Sequence, residues 1–214
     1  MPLEPPSIEV QNEIADFTLA VCTPVYWHDR KVPFPKEVER GSCFVLRFDN
    51  GLVGVTAAHV FQAYEDARRA NRNLVCQLRW MEFDFRDAII TTNTDLDIAT
   101  FRLFETELAA IDGTVIDCRG SWPPPVATTM QAMSLAGFPE VMRLTFPDRS
   151  CVFRAYGALT SVEDVTDREI IFTYDPTREQ SGGKYPPAEP GALGIGPLEA
   201  ADRVADATLH LLAT

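Results

Sequence analysis

Apolar and polar residues along this chain fall into short runs separated by turn-forming residues. The runs cover 16–22, 42–48, 52–58, 74–80, 87–91 and 98–104, then 133–137, 141–146, 151–162 and 169–174. They are rich in β-branched and aromatic side chains, as in Phe44-Val45-Leu46-Arg47-Phe48 and Leu52-Val53-Gly54-Val55. Such side chains suit a pleated, half-buried surface, so each run predicts a strand. Many short strands at near-regular spacing predict an all-β sandwich or barrel. Two segments break the pattern. Within 61–71, Phe61, Tyr64, Ala67 and Ala70 recur at helical spacing. Near the end, Leu198, Ala201, Val204, Ala205, Leu209 and Leu212 share one helical face and predict a C-terminal helix over 198–214.

Punctuation divides the chain further. Residues 1–13 are rich in Pro and Glu and read as a loose tail. The stretch 119–131 carries Pro123-Pro124-Pro125. Consecutive prolines cannot sit in a central strand, and they stiffen an extended crossing. This stretch is read as a linker between a first β unit, 14–118, and a second, 132–197; an ordinary long loop is the competing reading. No internal repeat is visible.

With 214 residues and 46% apolar content, the chain can bury a sizeable core. No run of 18 apolar residues exists, so no membrane span is expected. Met1-Pro2-Leu3-Glu4-Pro5-Pro6 has neither the basic start nor the apolar centre of a secretory leader, and a cytoplasmic location is the expectation. The net charge of −12 repels phosphate backbones and anionic lipid, which argues against nucleic-acid and membrane partners. The basic cluster Arg68, Arg69 and Arg72 reads as a solvated helix face. Five cysteines, an odd number with no C-x-x-C pair, read as buried reduced thiols rather than a disulfide framework or zinc site.

The candidate chemistry rests on three fragments in order. Thr56-Ala57-Ala58-His59 ends a strand-like run, and its small residues let backbone crowd close to an imidazole. Histidine is the side chain suited to take a hydroxyl proton near neutrality and return it. Asp97 lies in Asp95-Leu96-Asp97-Ile98-Ala99-Thr100-Phe101, where apolar flanks part-bury a carboxylate that then needs a donor. An imidazole N–H would satisfy it and fix the tautomer. Ser181 begins Ser181-Gly182-Gly183, whose glycines leave room for a substrate and let the loop turn sharply. Read one at a time, each has a structural alternative: a strand-end histidine, a turn aspartate, a flexible Ser-Gly-Gly turn.

Together with Gly41-Ser42-Cys43-Phe44 and Leu135-Ala136-Gly137-Phe138-Pro139, these fragments resemble the chymotrypsin-like (trypsin-fold) serine proteases over about residues 15–183. The resemblance implies two antiparallel six-stranded β-barrels with the site between them. It also implies His59 as base, Asp97 as orienter and Ser181 as nucleophile of a peptide-hydrolysing triad. Backbone N–H groups of Ser181 and Glu179 would form the oxyanion hole, with Asp175, Gly182 and Gly194 at the substrate. No metal or cofactor is implied; the partner is a protein or peptide substrate.

The family pattern is broken at several positions. Glu179 stands where the family has Gly, two residues before the serine, and Lys184 stands where it has Pro. A side chain at that glycine disfavours the backbone that aims its N–H at the oxyanion. A lost oxyanion donor costs about 10²–10³ in rate. Val60 replaces the Cys that secreted relatives carry after the histidine, which leaves Cys43 without that partner. Residues 185–197 lack a clean pair of strands, so the ending reads as strongly diverged or as the product of a frameshift. These departures motivate a competing expectation, a protease-fold protein that binds peptides or proteins with impaired catalysis. Asp175, in Asp175-Pro176-Thr177, reads equally as a turn residue. No G-x-S-x-G elbow or phosphate loop is present.

Overall fold

The computed structural model describes residues 7–32, 39–138, 143–145, 151–153, 156–166 and 170–172. It is mostly β, as the hydrophobic pattern predicts. The strands of the first part are β1 (Thr23–Asp29), β2 (Glu39–Phe48), β3 (Gly51–Ala57), β4 (Leu74–Leu78), β5 (Met81–Phe83), β6 (Ile89–Asn93), β7 (Ile98–Leu103) and the short β8 (Ile116–Asp117). They form one eight-stranded sheet in the order β5-β4-β1-β2-β3-β7-β6, with β8 pairing β2 in parallel; the other pairings are antiparallel. The second part contributes β9 (Ala132–Gly137), β10 (Arg143–Thr145), β11 (Cys151–Phe153), β12 (Tyr156–Val165) and β13 (Ile170–Phe172). These make a three-stranded sheet, β13-β12-β9, and a separate β10-β11 pair. Two six-stranded barrels are therefore not what the described residues form. The stretch 118–131 between the two parts contains neither helix nor strand.

Four helices interrupt the strands among the described residues: α1 (Ile8–Val21), α2 (Ala58–Ala70), α3 (Phe85–Ala88) and α4 (Glu105–Ala110). Helix α1 departs from the sequence pattern, which predicts a strand over 16–22 and a loose tail before it. The Ser7 side chain accepts from the Val10 N–H at 3.4 Å and starts a helix that runs unbroken to Val21. The β-branched and aromatic residues at its end, Phe17-Thr18-Leu19-Ala20-Val21, carry a strand preference that capping and packing override. Helix α1 lies against β9 and β12, and Thr18 Oγ1 and Ser134 Oγ hydrogen-bond at 2.7 Å.

The main core lies between α2 and the inner face of the eight-stranded sheet. Trp27, Tyr64, Phe83, Phe85 and Phe101 form a continuous aromatic line through it. The centroid distances are 5.9 Å for Trp27–Tyr64, 5.7 Å for Tyr64–Phe85, 4.9 Å for Phe85–Phe101 and 5.3 Å for Phe83–Phe85, mostly edge to face. Helix α2 enters this core through Val60 and Tyr64, with Phe61 and Ala67 partly buried beside them, on the face that the helical spacing predicts. The Tyr64 hydroxyl donates to Asp84 Oδ1 at 3.2 Å, and the same oxygen accepts the Arg86 N–H at the start of α3. Two glycines set the spacing. A Cβ on Gly54 would lie 2.2 Å from the Phe101 ring of the paired strand, and one on Gly41 would lie 2.5 Å from Val60 of α2. A smaller core, Met133, Leu135, Val162 and Ile170, holds the three-stranded sheet.

Cys22, Cys43, Cys76 and Cys118 are free and buried, as expected; the Cys151 side chain lies outside the described set. Burial pushes the Cys22 thiol up to about 12 and holds Cys43 and Cys76 well above the ordinary thiol value.

Two outcomes follow from this packing. Gly54→Ala forces a methyl into the Phe101 ring, and its urea-unfolding midpoint falls by the equivalent of about 1–3 kcal/mol; an unchanged midpoint would refute the close approach. In the native protein at mildly alkaline pH, peptide-resolved alkylation leaves Cys22, Cys43 and Cys76 unmodified, and all three react once urea unfolds the chain. Rapid native labelling of any of the three would contradict their burial.

Candidate active site

Strand β3 delivers Thr56 and Ala57, both buried, and the chain turns directly into α2 at Ala58. His59 is thus the second residue of a helix, whereas the sequence pattern sets it at the end of a strand. Thr56 is fixed by its hydroxyl, which donates to the Ser42 carbonyl of β2 at 2.7 Å. The first N–H groups of any helix need acceptors, and Ala57 at the cap position has no side-chain oxygen to offer.

Asp97 supplies what Ala57 lacks, from the turn that leads into the neighbouring strand β7. Its carbonyl accepts the Ala58 N–H at 2.9 Å, and its Oδ1 accepts the His59 N–H at 2.9 Å. Its other carboxylate oxygen, Oδ2, lies 2.6 Å from His59 Nδ1. A carboxylate only accepts, so Nδ1 carries a proton, and in the neutral ring the lone pair is then on Nε2. The positive end of the helix dipole favours a carboxylate at this position. The His59 side chain is 59% exposed while that of Asp97 is 24% exposed, so the imidazole presents to solvent with its carboxylate partner behind it.

The backbone aims Asp97 by an uncommon route. It sits in the turn between β6 and β7 with φ of 50°, a left-handed conformation that aspartate tolerates better than most L-residues. Asp95, two residues earlier in that turn, is exposed, and its backbone N–H bonds to Asn93. The structure brings Asp97 to His59.

Two contributors lie outside the sequence reading. Asn93 shapes the turn that carries Asp97. Ser42 Oγ accepts the Phe138 N–H at 2.8 Å, a bond that joins the end of β9 to β2 beside Thr56. An asparagine ending a strand just before a turn is a readable signal of an Asx-type fold. The Ser42 contact spans 96 positions and has no local signal. Asp175, Glu179, Ser181, Gly182 and Gly194 lie outside the described residues, as does the helix expected over 198–214.

No protein-family model matches the chain, and no curated protein matches it. Among solved structures, the chain is similar to the active form of the Rv3671c protease from M. tuberculosis. The identity is 16%, the TM-score is 0.39, and the match covers 75% of this chain and 68% of that one. Among the described residues, no helix is long and apolar enough to cross a membrane.

The dual role of Asp97 separates two substitutions. Asp97→Ala removes both the helix cap and the imidazole partner, and it lowers stability in urea by about 0.5–2 kcal/mol. Asp97→Asn keeps a capping oxygen and loses little. Equal stability losses in the two variants would show that capping of α2 does not depend on this side-chain oxygen.

Proposed function

We propose that this protein is a serine endopeptidase of the chymotrypsin-like kind, with His59 as general base, Asp97 as its orienter and Ser181 as nucleophile. The observation that carries the reading is the 2.6 Å contact between His59 Nδ1 and Asp97 Oδ2 on a largely exposed imidazole. A carboxylate bonded to Nδ1 leaves Nε2 free to take a proton from a hydroxyl, which is the orienting role in a Ser-His-Asp triad. In the proposed reaction Ser181 Oγ attacks the peptide carbonyl as its proton passes to Nε2. The resulting oxyanion is met by the backbone N–H groups of Ser181 and Glu179. His59 then gives the proton to the leaving amine, and an acyl-enzyme remains. Water, deprotonated by His59, hydrolyses that ester and frees Ser181. Asp175, Gly182 and Gly194 are proposed to meet the substrate. The eight-stranded sheet would correspond to the first barrel of the family and the sheets of β9–β13 to the second.

A second reading has its own support in the sequence. By the family pattern Glu179 would bring a side chain, and a negative charge, to the place where a developing oxyanion needs an unobstructed N–H. On this reading the protein binds peptide or protein without turning it over.

A fluorophosphonate probe separates the two. Under the peptidase reading the purified protein is labelled, Ser181→Ala abolishes labelling, and Asp97→Asn slows turnover of a cleavable peptide by about 10⁴ with the fold intact. A well-folded sample that stays unlabelled would overturn the peptidase reading in favour of the binding scaffold.

A further inference from the structure

Asn93 is the last residue of β6, and in the ladder it faces Ile98, the first residue of β7. Residues 94–97 between them form the turn that ends in Asp97. The Asn93 Oδ1 accepts two consecutive backbone N–H groups, from Asp95 at 3.0 Å and from Leu96 at 3.0 Å. One carbonyl oxygen gathering two N–H groups folds the turn back on itself just before Asp97. Asp97 then leaves the turn at φ of 50°, in the left-handed region that aspartate enters more readily than most L-residues and that the hydrogen bonds around it fix here. The constraint acts from both sides. Asn93 fixes the chain entering Asp97, and the N–H groups of Ala58 and His59 fix the residue itself.

We propose that Asn93 is a positioning residue for the His59–Asp97 pair: by clamping the 94–97 turn it sets the carboxylate where Oδ2 meets Nδ1 and holds the imidazole in its Nδ1–H form. It touches neither the imidazole nor the proposed nucleophile, and it acts through Asp97. The kinetic consequence rests on the peptidase reading above, whereas the effect on the imidazole does not. Without the clamp the turn samples other conformations, and the carboxylate loses the fixed approach that both its oxygens require. Misplacing a catalytic group by about 1 Å costs about 10² in rate.

The test uses the full chain with ¹⁵N-labelled histidine, which gives only three ring systems to assign. Ring ¹⁵N shifts are read at about pH 9, where an ordinary imidazole is neutral. His59 is expected as the Nδ1–H tautomer in the wild type and in Asn93→Asp, which keeps an acceptor in place. In Asn93→Ala it shifts toward the Nε2–H form that an unconstrained histidine side chain favours in water, and probe labelling at Ser181 slows about 10²-fold. Asn71→Ala is the matched control: Asn71 Oδ1 accepts the Asn73 N–H at 2.9 Å in a turn at the far end of α2. Its loss lowers the urea midpoint but leaves the His59 tautomer unchanged. Should Asn93→Ala fail to fold, Asn93→Ser, with a shorter acceptor, is read in the same way and is expected to be intermediate. A folded Asn93→Ala or Asn93→Ser with a wild-type His59 tautomer overturns the proposal, as does a wild-type His59 that is not Nδ1–H. If the wild type is never labelled by the probe, the peptidase reading fails, and the tautomer still decides the role of Asn93.

Discussion

Asp97 holds together the start of α2, the end of β3 and the turn before β7. Three acceptor contacts converge there: backbone oxygen to Ala58 N, Oδ1 to His59 N and Oδ2 to His59 Nδ1. The first two are what any helix N-terminus requires, since its leading N–H groups have no partners within the helix. The third is specific to histidine at that position. A structural need and a chemical arrangement are thus met by one side chain, which is why the imidazole can be largely exposed and still be held in one orientation. In most capped helices the cap comes from the preceding residue. Here that residue is Ala57, buried and without an oxygen to give.

That convergence depends on how closely β3, β7 and α2 approach one another, and the core fixes the approach. Phe101 of β7 lies over Gly54 of β3, where any side chain would collide. Val60, the residue after His59, lies against Gly41 of β2 in the same way. Tyr64, one helical turn further, is locked by Trp27, Phe85 and the Asp84 carboxylate. The apolar packing places α2 to within the tolerance of a hydrogen bond, and Asp97 completes the contact. Interiors packed at crystal-like density transmit small changes of volume, so a change at Gly54 or Gly41 is also a change at His59.

Local patterns in the sequence carried the strands of this region well. The runs at 42–48, 52–58 and 98–104 correspond to β2, β3 and β7, and the spacing of Phe61, Tyr64 and Ala67 corresponds to the buried face of α2. Their signal is periodicity, which each segment contains in itself. The first strand was hidden because Pro24, Tyr26, His28 and Asp29 dilute its apolar residues, while the preceding helix imitates a strand in composition. Position 59 illustrates a further limit. The sequence places a histidine after small residues, but whether strand or helix continues there is decided by an acceptor that arrives from residue 97, a contact between segments far apart in the chain. The left-handed turn at Asp97 is likewise set by Asn93 and α2 together and leaves no apolar pattern to read.

Among the described residues, two side-chain hydrogen bonds tie the second half of the chain to the first, and both use polar residues inside runs that periodicity marks only as strands. Thr18 of α1 bonds to Ser134 of β9, so the helix that precedes the first strand is packed on the three-stranded sheet. Ser42 of β2 receives the N–H of Phe138 as β9 ends, while its carbonyl receives the Thr56 hydroxyl three residues before His59. A continuous line of hydrogen bonds and covalent links therefore runs from Phe138 through Ser42 and Thr56 to the imidazole. Rotation of β9 against β2 would have to break the Ser42 bond or pull on β2 directly beside the strand that delivers His59. In the proposed triad the serine comes from the second half of the chain, so the relative position of the halves matters as much as the geometry within either. Ser42 is the residue through which the described part of β9 is hydrogen-bonded to β2, beside the strand that delivers His59.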